Sequence, residues 1–269
     1  MENKVTFEKF DFGKRMKSML KVDFRRMFKS KLFYILIACA LVIPILMTVM
    51  MAMMDGSVSV DPQTGVETVM KGPENTWQNI GTLPDGEAMG GSEIFMMCNI
   101  NMVFMIVAVF VCLFISDDFR SGYAKNLFTV RAKKGDYIIS KTLAGFVCGA
   151  FMLVAYFIGS MLGGAMAGLS FELHGLTVGN IVMCMLAKIL LMLVFVPIFV
   201  LISVAAKQKA WLSICGSLGG GMLLFMMVSM ITPLGSTFIN VVLCLAGGAM
   251  FAFGLGAASN AVLKKTSLV

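Results

Sequence analysis

The chain has 269 residues, 58% hydrophobic and only 14% charged, with a mean hydropathy of +0.88 and a formal charge of +7. About a quarter of the residues of a soluble domain are charged, so this composition excludes an ordinary globular enzyme or nucleic-acid-binding module and predicts an all-α integral membrane protein. Seven cysteines without a CxxC pair and one histidine, His174, argue against a disulfide scaffold or a metal site; they read as small buried hydrophobes and a solvated loop residue.

Residues 1–31 form the first unit, a basic amphipathic helix at the cytoplasmic interface. Phe12, Met16, Met19, Leu20, Phe24, Met27 and Phe28 step by three and four, while Lys17, Lys21, Arg25 and Lys29 step by four along another side. Such a helix lies in the membrane interface with its apolar face at the acyl boundary and those four cations as anchors to anionic headgroups. As an elbow it can pass motion into the first span. Residues 32–269 form the second unit, a six-span transmembrane domain. A span needs about 20 apolar residues to cross roughly 30 Å of hydrocarbon, and six stretches qualify: 32–54, 92–115, 143–169, 179–206, 210–231 and 237–259. Backbone amides find no water in lipid, so each run must be a helix.

Pro44 removes a backbone donor from the first span and predicts a bend there. Residues 55–91 then form an outer cap segment. Val58 and Val60, with Val66, Thr68 and Met70, flank the turn-favouring DPQTG as a hairpin, and a short amphipathic turn follows around Trp77 and Ile80. Asp55, Asp61, Glu67, Glu74, Asp85 and Glu87 face Lys71 alone, which makes the segment acidic.

The second span opens on Ser92 as an N-cap with Glu93 in its first turn. It carries Asn99 and Asn101, polar groups that must face protein or a wet path. Gly145 with Gly149 and Gly159 with Gly163 give the third span small-xxx-small pairs for close packing. Lys188 sits about 13.5 Å into the fourth span at 1.5 Å per residue, near the midplane, and with Asn99 and Asn101 it is a candidate for lining a transport path; snorkelling or a bond to neighbouring oxygens explains it equally. Glycines in the fifth and sixth spans predict close contact or a mobile seam.

Residues 116–142 are the one long charged segment between spans. Tyr123, Leu127 and Val130, with Ala124 and Phe128, recur at helical spacing, and Arg120, Lys125, Arg131, Lys133 and Lys134 occupy the other positions. The pattern predicts a short helix with one apolar face outside the bilayer. Twenty of the 22 Lys and Arg fall in residues 1–31, in 116–142, at Lys207 and Lys209, or at Lys264 and Lys265. With six spans these share one side, so both termini and the 116–142 segment are cytoplasmic in a multi-pass plasma-membrane protein. No GxxxxGK[ST], HExxH or GxSxG motif occurs, so the chain is not an enzyme by itself. The predicted spans hold no interior acid for a proton or ion site, which argues against a secondary transporter.

This layout resembles the type-2 ATP-binding-cassette (ABC) exporter permeases, most closely the peptide and bacteriocin exporters. Asp118 to Gly122, DFRSG, is similar to the family's acid-xxx-Gly at the inner end of the second span. Asn126 to Phe128, NLF, follows, and then Lys134 and Lys141 where the family tends to have Arg and Lys. Lys134 replaces the usual Arg, and VRAK at 130–133 lacks the common Gly and Ser. The resemblance implies a second permease copy or paralogue and two cytoplasmic ABC ATPases carrying ATP and Mg, with no cofactor on this chain. It also implies docking of the ATPase on the helix from Tyr123 to Phe128, with Asp118, Gly122, Tyr123, Leu127, Phe128, Arg131 and Lys134 as the coupling residues. Twenty-six methionines suit varied apolar faces, so the expected cargo is hydrophobic or amphipathic, a peptide toxin or bacteriocin first. Small lipophilic drugs or lipids are the alternative cargo, and an ATPase-independent immunity protein that binds a toxic peptide is the alternative function.

Overall fold

The computed structural model describes residues 12–60, 67–69, 71–81, 99–130 and 134–265. The first helix, α1 (Phe12–Lys29), follows from the predicted stripe: Met16, Met19 and Met27 are buried, while Lys17, Lys21, Arg25 and Lys29 are all exposed. After Ser30 the chain enters α2 (Lys31–Met53), a continuous helix with Pro44 inside it. Then come strands β1 (Val58–Val60) and β2 (Glu67–Val69), which pair antiparallel with Val58 opposite Val69 and Val60 opposite Glu67. The hairpin expected from the turn chemistry is present, although its turn lies outside the described residues.

Five more helices build the bundle around a short one. They are α3 (Val103–Arg120), α5 (Lys134–Met166), α6 (Val178–Ala206), α7 (Ala210–Ile231) and α8 (Phe238–Lys265), with α4 (Tyr123–Val130) between the first two. Two sequence boundaries move. The second span is described from Asn99, whose side chain caps a 3-10 turn at Ile100–Met102 leading into α3; Ser92 and Glu93 lie outside the described residues. The helix of the third span starts at Lys134 and not at Leu143, so of the segment 116–142 the described residues hold the expected short helix, α4, and also the first turns of α5. Five helices among the described residues are long and apolar enough to cross a membrane, namely α2, α3 with its preceding turn, α5, α6 and α8. The remaining expected span, the fifth at 210–231, falls on α7, whose described continuous apolar stretch, Ala210–Phe225, is shorter than that.

Helices α3 and α6 are the most enclosed, and α5 bridges them to α2. In lipid there is little hydrophobic drive between helices, so close packing through small residues decides the fit. A Cβ on Gly159 would overlap the Leu41 carbonyl oxygen of α2 and lie 2.7 Å from Pro44 Cγ, and one on Gly163 would stand 3.0 Å from Ile45 Cα. The small-xxx-small pair is therefore the seat of α2. Gly145 and Gly149 serve in the same way against Val196 and Met192 of α6, and Gly248 of α8 lies against Leu193 of α6.

The two ends of the bundle differ. At one end stand α1, α4, the start of α5 and the basic end of α8. At the other, the segment after the hairpin folds onto the bundle. Asn75 and Gln78 form a capping box on the 3-10 turn Thr76–Asn79. Asn75 Nδ2 donates to Glu172 O at 2.7 Å, Trp77 Nε1 to Phe171 O at 3.1 Å, and Asn79 Nδ2 to Thr48 Oγ1 at 2.8 Å. Residues 71–81 are thus tied both to the α5–α6 connection and to α2.

Candidate functional site

The densest polar chemistry lies where α1, α3, α4 and α5 meet. On α1, Asp23 and Arg26 are three residues apart and share a face; on α3, Phe114 and Asp118 are four apart; on α5, Tyr137, Ser140 and Lys141 fall within one turn. Lys141 Nζ lies 2.7 Å from Asp23 Oδ1 and 2.7 Å from Asp118 Oδ2. Arg26 Nη1 forms an ion pair with Asp118 Oδ1 at 2.6 Å. Tyr137 donates its hydroxyl to Asp118 Oδ2 at 2.9 Å, and Ser140 donates to Asp23 Oδ2. The two carboxylates and two cations balance.

Aromatic rings close the cluster. Lys141 Nζ is 4.1 Å from the centre of the Phe114 ring, and Arg26 Cζ is 4.4 Å from that of Tyr123. Asp23, Asp118 and Lys141 are at most 2% exposed. Charges this deep hold their place only when fully paired, and removing one partner costs about 3–5 kcal/mol because the other is left bare. Burial is the largest single influence on Arg26 and opposes its charge. The attraction and hydrogen bond of Asp118, with help from Asp23, outweigh it and hold the guanidinium above its ordinary value. Burial pushes the Tyr123 phenol up, and the nearby Asp23 and Asp118 push it further. Further out, Arg15 Nε meets Asp136 Oδ2 at 2.9 Å and makes a second tie between α1 and α5.

The expected coupling residues are distributed around this cluster. Gly122 has φ +72°, a left-handed turn that glycine adopts without strain; it ends α3 and starts α4. Ala124 is buried, and Leu127 and Phe128 are half-buried against the core, with the Phe128 ring edge-on to Tyr137 at 5.3 Å. The apolar face of α4 thus points into the bundle, and among the described side chains of α4 Lys125, Asn126 and Thr129 are the exposed ones. Lys134 bridges α4 and α8: its Nζ lies 5.8 Å from the centre of the Phe128 ring and donates to Leu263 O at 3.0 Å, a cation on the carbonyl end of α8. Arg131 lies outside the described residues.

Two of the expected path residues, Lys188 and Asn101, are hydrogen-bonded to each other inside the bundle. Lys188 is fully buried and donates to Asn101 Oδ1 at 2.8 Å and to Thr232 Oγ1 at 3.0 Å, while Asn101 Nδ2 donates to Ser229 Oγ at 3.0 Å. The lysine bolts α6 to the turn before α3 and to the end of α7. Asn99 is a helix cap, as above. No group of three or more His, Cys, Asp or Glu among the described residues could hold a metal ion.

Sequence reading missed Asp23 and Arg26 as site residues and gave Lys141 and Tyr137 no role. One signal was available. Asp23 is the only acid in α1 and falls on the apolar stripe between Met19 and Met27, where an unpaired carboxylate could not be buried.

These features define a multi-pass helical membrane protein whose short α4 helix rests on a buried ionic junction. A family model described as an ABC-2 family transporter protein matches residues 19–223. The chain belongs to that family, which identifies it as the transmembrane component of an ABC transporter. Such components generally lack an ATPase site of their own, and membership implies a separate ABC ATPase partner and a dimeric assembly. Comparisons with curated proteins and with solved structures give no match.

Proposed function

We propose that this chain is the permease subunit of an ATP-driven exporter, in which force from a cytoplasmic ATPase enters through α4. In this reading α7 is the fifth of six spans, both termini are cytoplasmic, and the unit of transport is two permeases with two ATPases that bind ATP and Mg. The observation that carries it is the four-charge junction beneath α4. A push on α4 reaches the junction through Tyr123, whose ring lies 4.4 Å from Arg26 Cζ, and through Phe128 against Tyr137, while Asp118 just before α4 is held to α1 by Arg26 and to α5 by Lys141. In this reading displacement of α4 is passed by these contacts to α1, α3 and α5, which the buried ion pairs hold together as one lever.

The docking surface is the exposed face of Lys125, Asn126 and Thr129, while Leu127 and Phe128 hold the helix down. The cargo we favour is hydrophobic or amphipathic, a toxic peptide first. Exposed Met50 and Met53 on α2 and Met222, Met227 and Met230 on α7 support that preference, since flexible thioethers adapt to varied apolar faces.

The test is reconstitution with the cognate ATPase. Lys125→Glu combined with Thr129→Asp abolishes permease-stimulated ATP hydrolysis without lowering the melting temperature, whereas Leu127→Asp lowers the melting temperature as well. Full stimulation by the Lys125→Glu, Thr129→Asp protein would move the docking surface elsewhere.

A further inference from the structure

Helices α5 and α8 leave a groove between them near the basic end of the bundle, with a volume of about 400 Å³. Gly135, Ile139, Leu193, Phe253, Gly256 and Asn260 are among its walls, and the lining is almost wholly apolar. Glycines create the space. A Cβ on Gly256 would meet nothing within 4 Å, and one on Gly135 would come no closer than 3.7 Å to the Asn260 amide. Along α5 the groove runs from Gly135 to Leu143, about 12 Å at 1.5 Å per residue, close to the apolar depth of one leaflet of a bilayer with a core of roughly 30 Å.

The mouth of the groove is polar and positive. Asn260 Oδ1 is buried without a hydrogen-bond partner, an arrangement that costs free energy unless something donates to it. On the same face of α8, Phe253, Ala257, Asn260 and Lys264 succeed one another at intervals of four, three and four residues. Lys264 therefore stands one turn beyond the amide, with Lys265 beside it, and both are exposed. An apolar slot that ends in an unsatisfied amide oxygen and two ammonium groups is complementary to an amphiphile whose apolar chain leads to a headgroup carrying both an anion and a hydroxyl or amine donor.

We propose that this groove binds an anionic phospholipid of the leaflet at the basic end, its acyl chain along Phe253 and Ile139 and its headgroup between Asn260 and Lys264 and Lys265. The site lies apart from the ionic junction and requires only that the bundle sit in a membrane. It stands or falls independently of the ATPase docking surface.

The experiment is native mass spectrometry of the full chain in detergent, titrated separately with palmitoyl-oleoyl phosphatidylglycerol and with the corresponding phosphatidylcholine. The wild-type protein retains the first over the second by fivefold or more, since each basic residue near an anionic headgroup contributes about a factor of five. Lys264→Gln with Lys265→Gln, a surface change that leaves the fold alone, brings the two lipids to near parity while both still bind. Gly256→Leu, which fills open space, removes one equivalent of either lipid at unchanged elution volume. Equal retention of the two lipids by the wild type overturns the proposal, as does a lysine variant that keeps the preference. A lipid-free dimer broken by Gly256→Leu would equally overturn it, by giving the groove to a second copy.

Discussion

Lys141→Met is the sharpest perturbation of the junction. The substitution keeps most of the side chain's length and removes its charge, which leaves Asp23 and Asp118 sharing Arg26 alone. Lys141 Nζ touches both carboxylates at 2.7 Å and the residue is 2% exposed, so water does not replace it. Leaving a buried charge uncompensated costs about 3–5 kcal/mol, or two to four powers of ten in the folded ratio. At about 2–4 °C per kcal/mol for a protein near this size, thermal unfolding in detergent should fall by roughly 6–20 °C. The second half of the test is a repair. Asp23→Asn added to Lys141→Met removes the surplus negative charge and leaves Arg26 with Asp118 one to one, so at least half of the loss should return. A Lys141→Met protein that melts within 2 °C of the wild type, or a double variant no better than the single one, would refute the view that these four charges act as one unit.

Three further predictions follow from the packing and the electrostatics. Gly159→Ala should destabilise by about 1–3 kcal/mol through overpacking against α2, whereas Gly247→Ala, where a Cβ meets nothing within 4 Å, should be neutral or stabilising by up to about 1 kcal/mol from helix propensity; paired melting curves decide it. Lys188→Met should lower the melting temperature by leaving Asn101 Oδ1 without its donor, at about 1–3 kcal/mol, and adding Asn101→Leu should restore most of it; a Lys188→Met protein as stable as the wild type would show that the lysine is no bolt. The Tyr123 phenol is raised above its ordinary value near 10. Its contribution to stability is therefore complete below the unfolded-state value and is lost as the pH rises through the folded-state value. Alkaline unfolding should be less steep in Tyr123→Phe, and identical alkaline profiles would contradict the assignment.

Much of the architecture was legible in the sequence because the bilayer enforces simple rules. The stripe from Met16 to Met27, the hairpin around DPQTG and the small-xxx-small pair on α5 each follow from local spacing and each is present. What spacing does not encode is the partner. The apolar side of α4 was visible at Leu127 and Phe128, but nothing in the period tells whether such a face meets another protein or its own bundle, and here it meets Tyr137. Charge content placed the start of the third span at Leu143, whereas Asp136 and Lys141 lie inside its helix and are charged because they pair with Arg15 and with Asp23 and Asp118. Asn99 and Asn101 read alike in sequence; one caps a turn and the other holds Lys188, a distinction that only the third dimension makes.

The central claim, that an ATPase drives this permease through α4, is tested most directly by site-specific photo-cross-linking in the assembled complex. A photoreactive residue placed at Lys125 should yield an adduct with the ATPase that changes in amount when ATP is bound, while the same probe at exposed Phe171, at the opposite end of the bundle, should yield none. An ATPase adduct at position 171 with none at 125 would contradict the account.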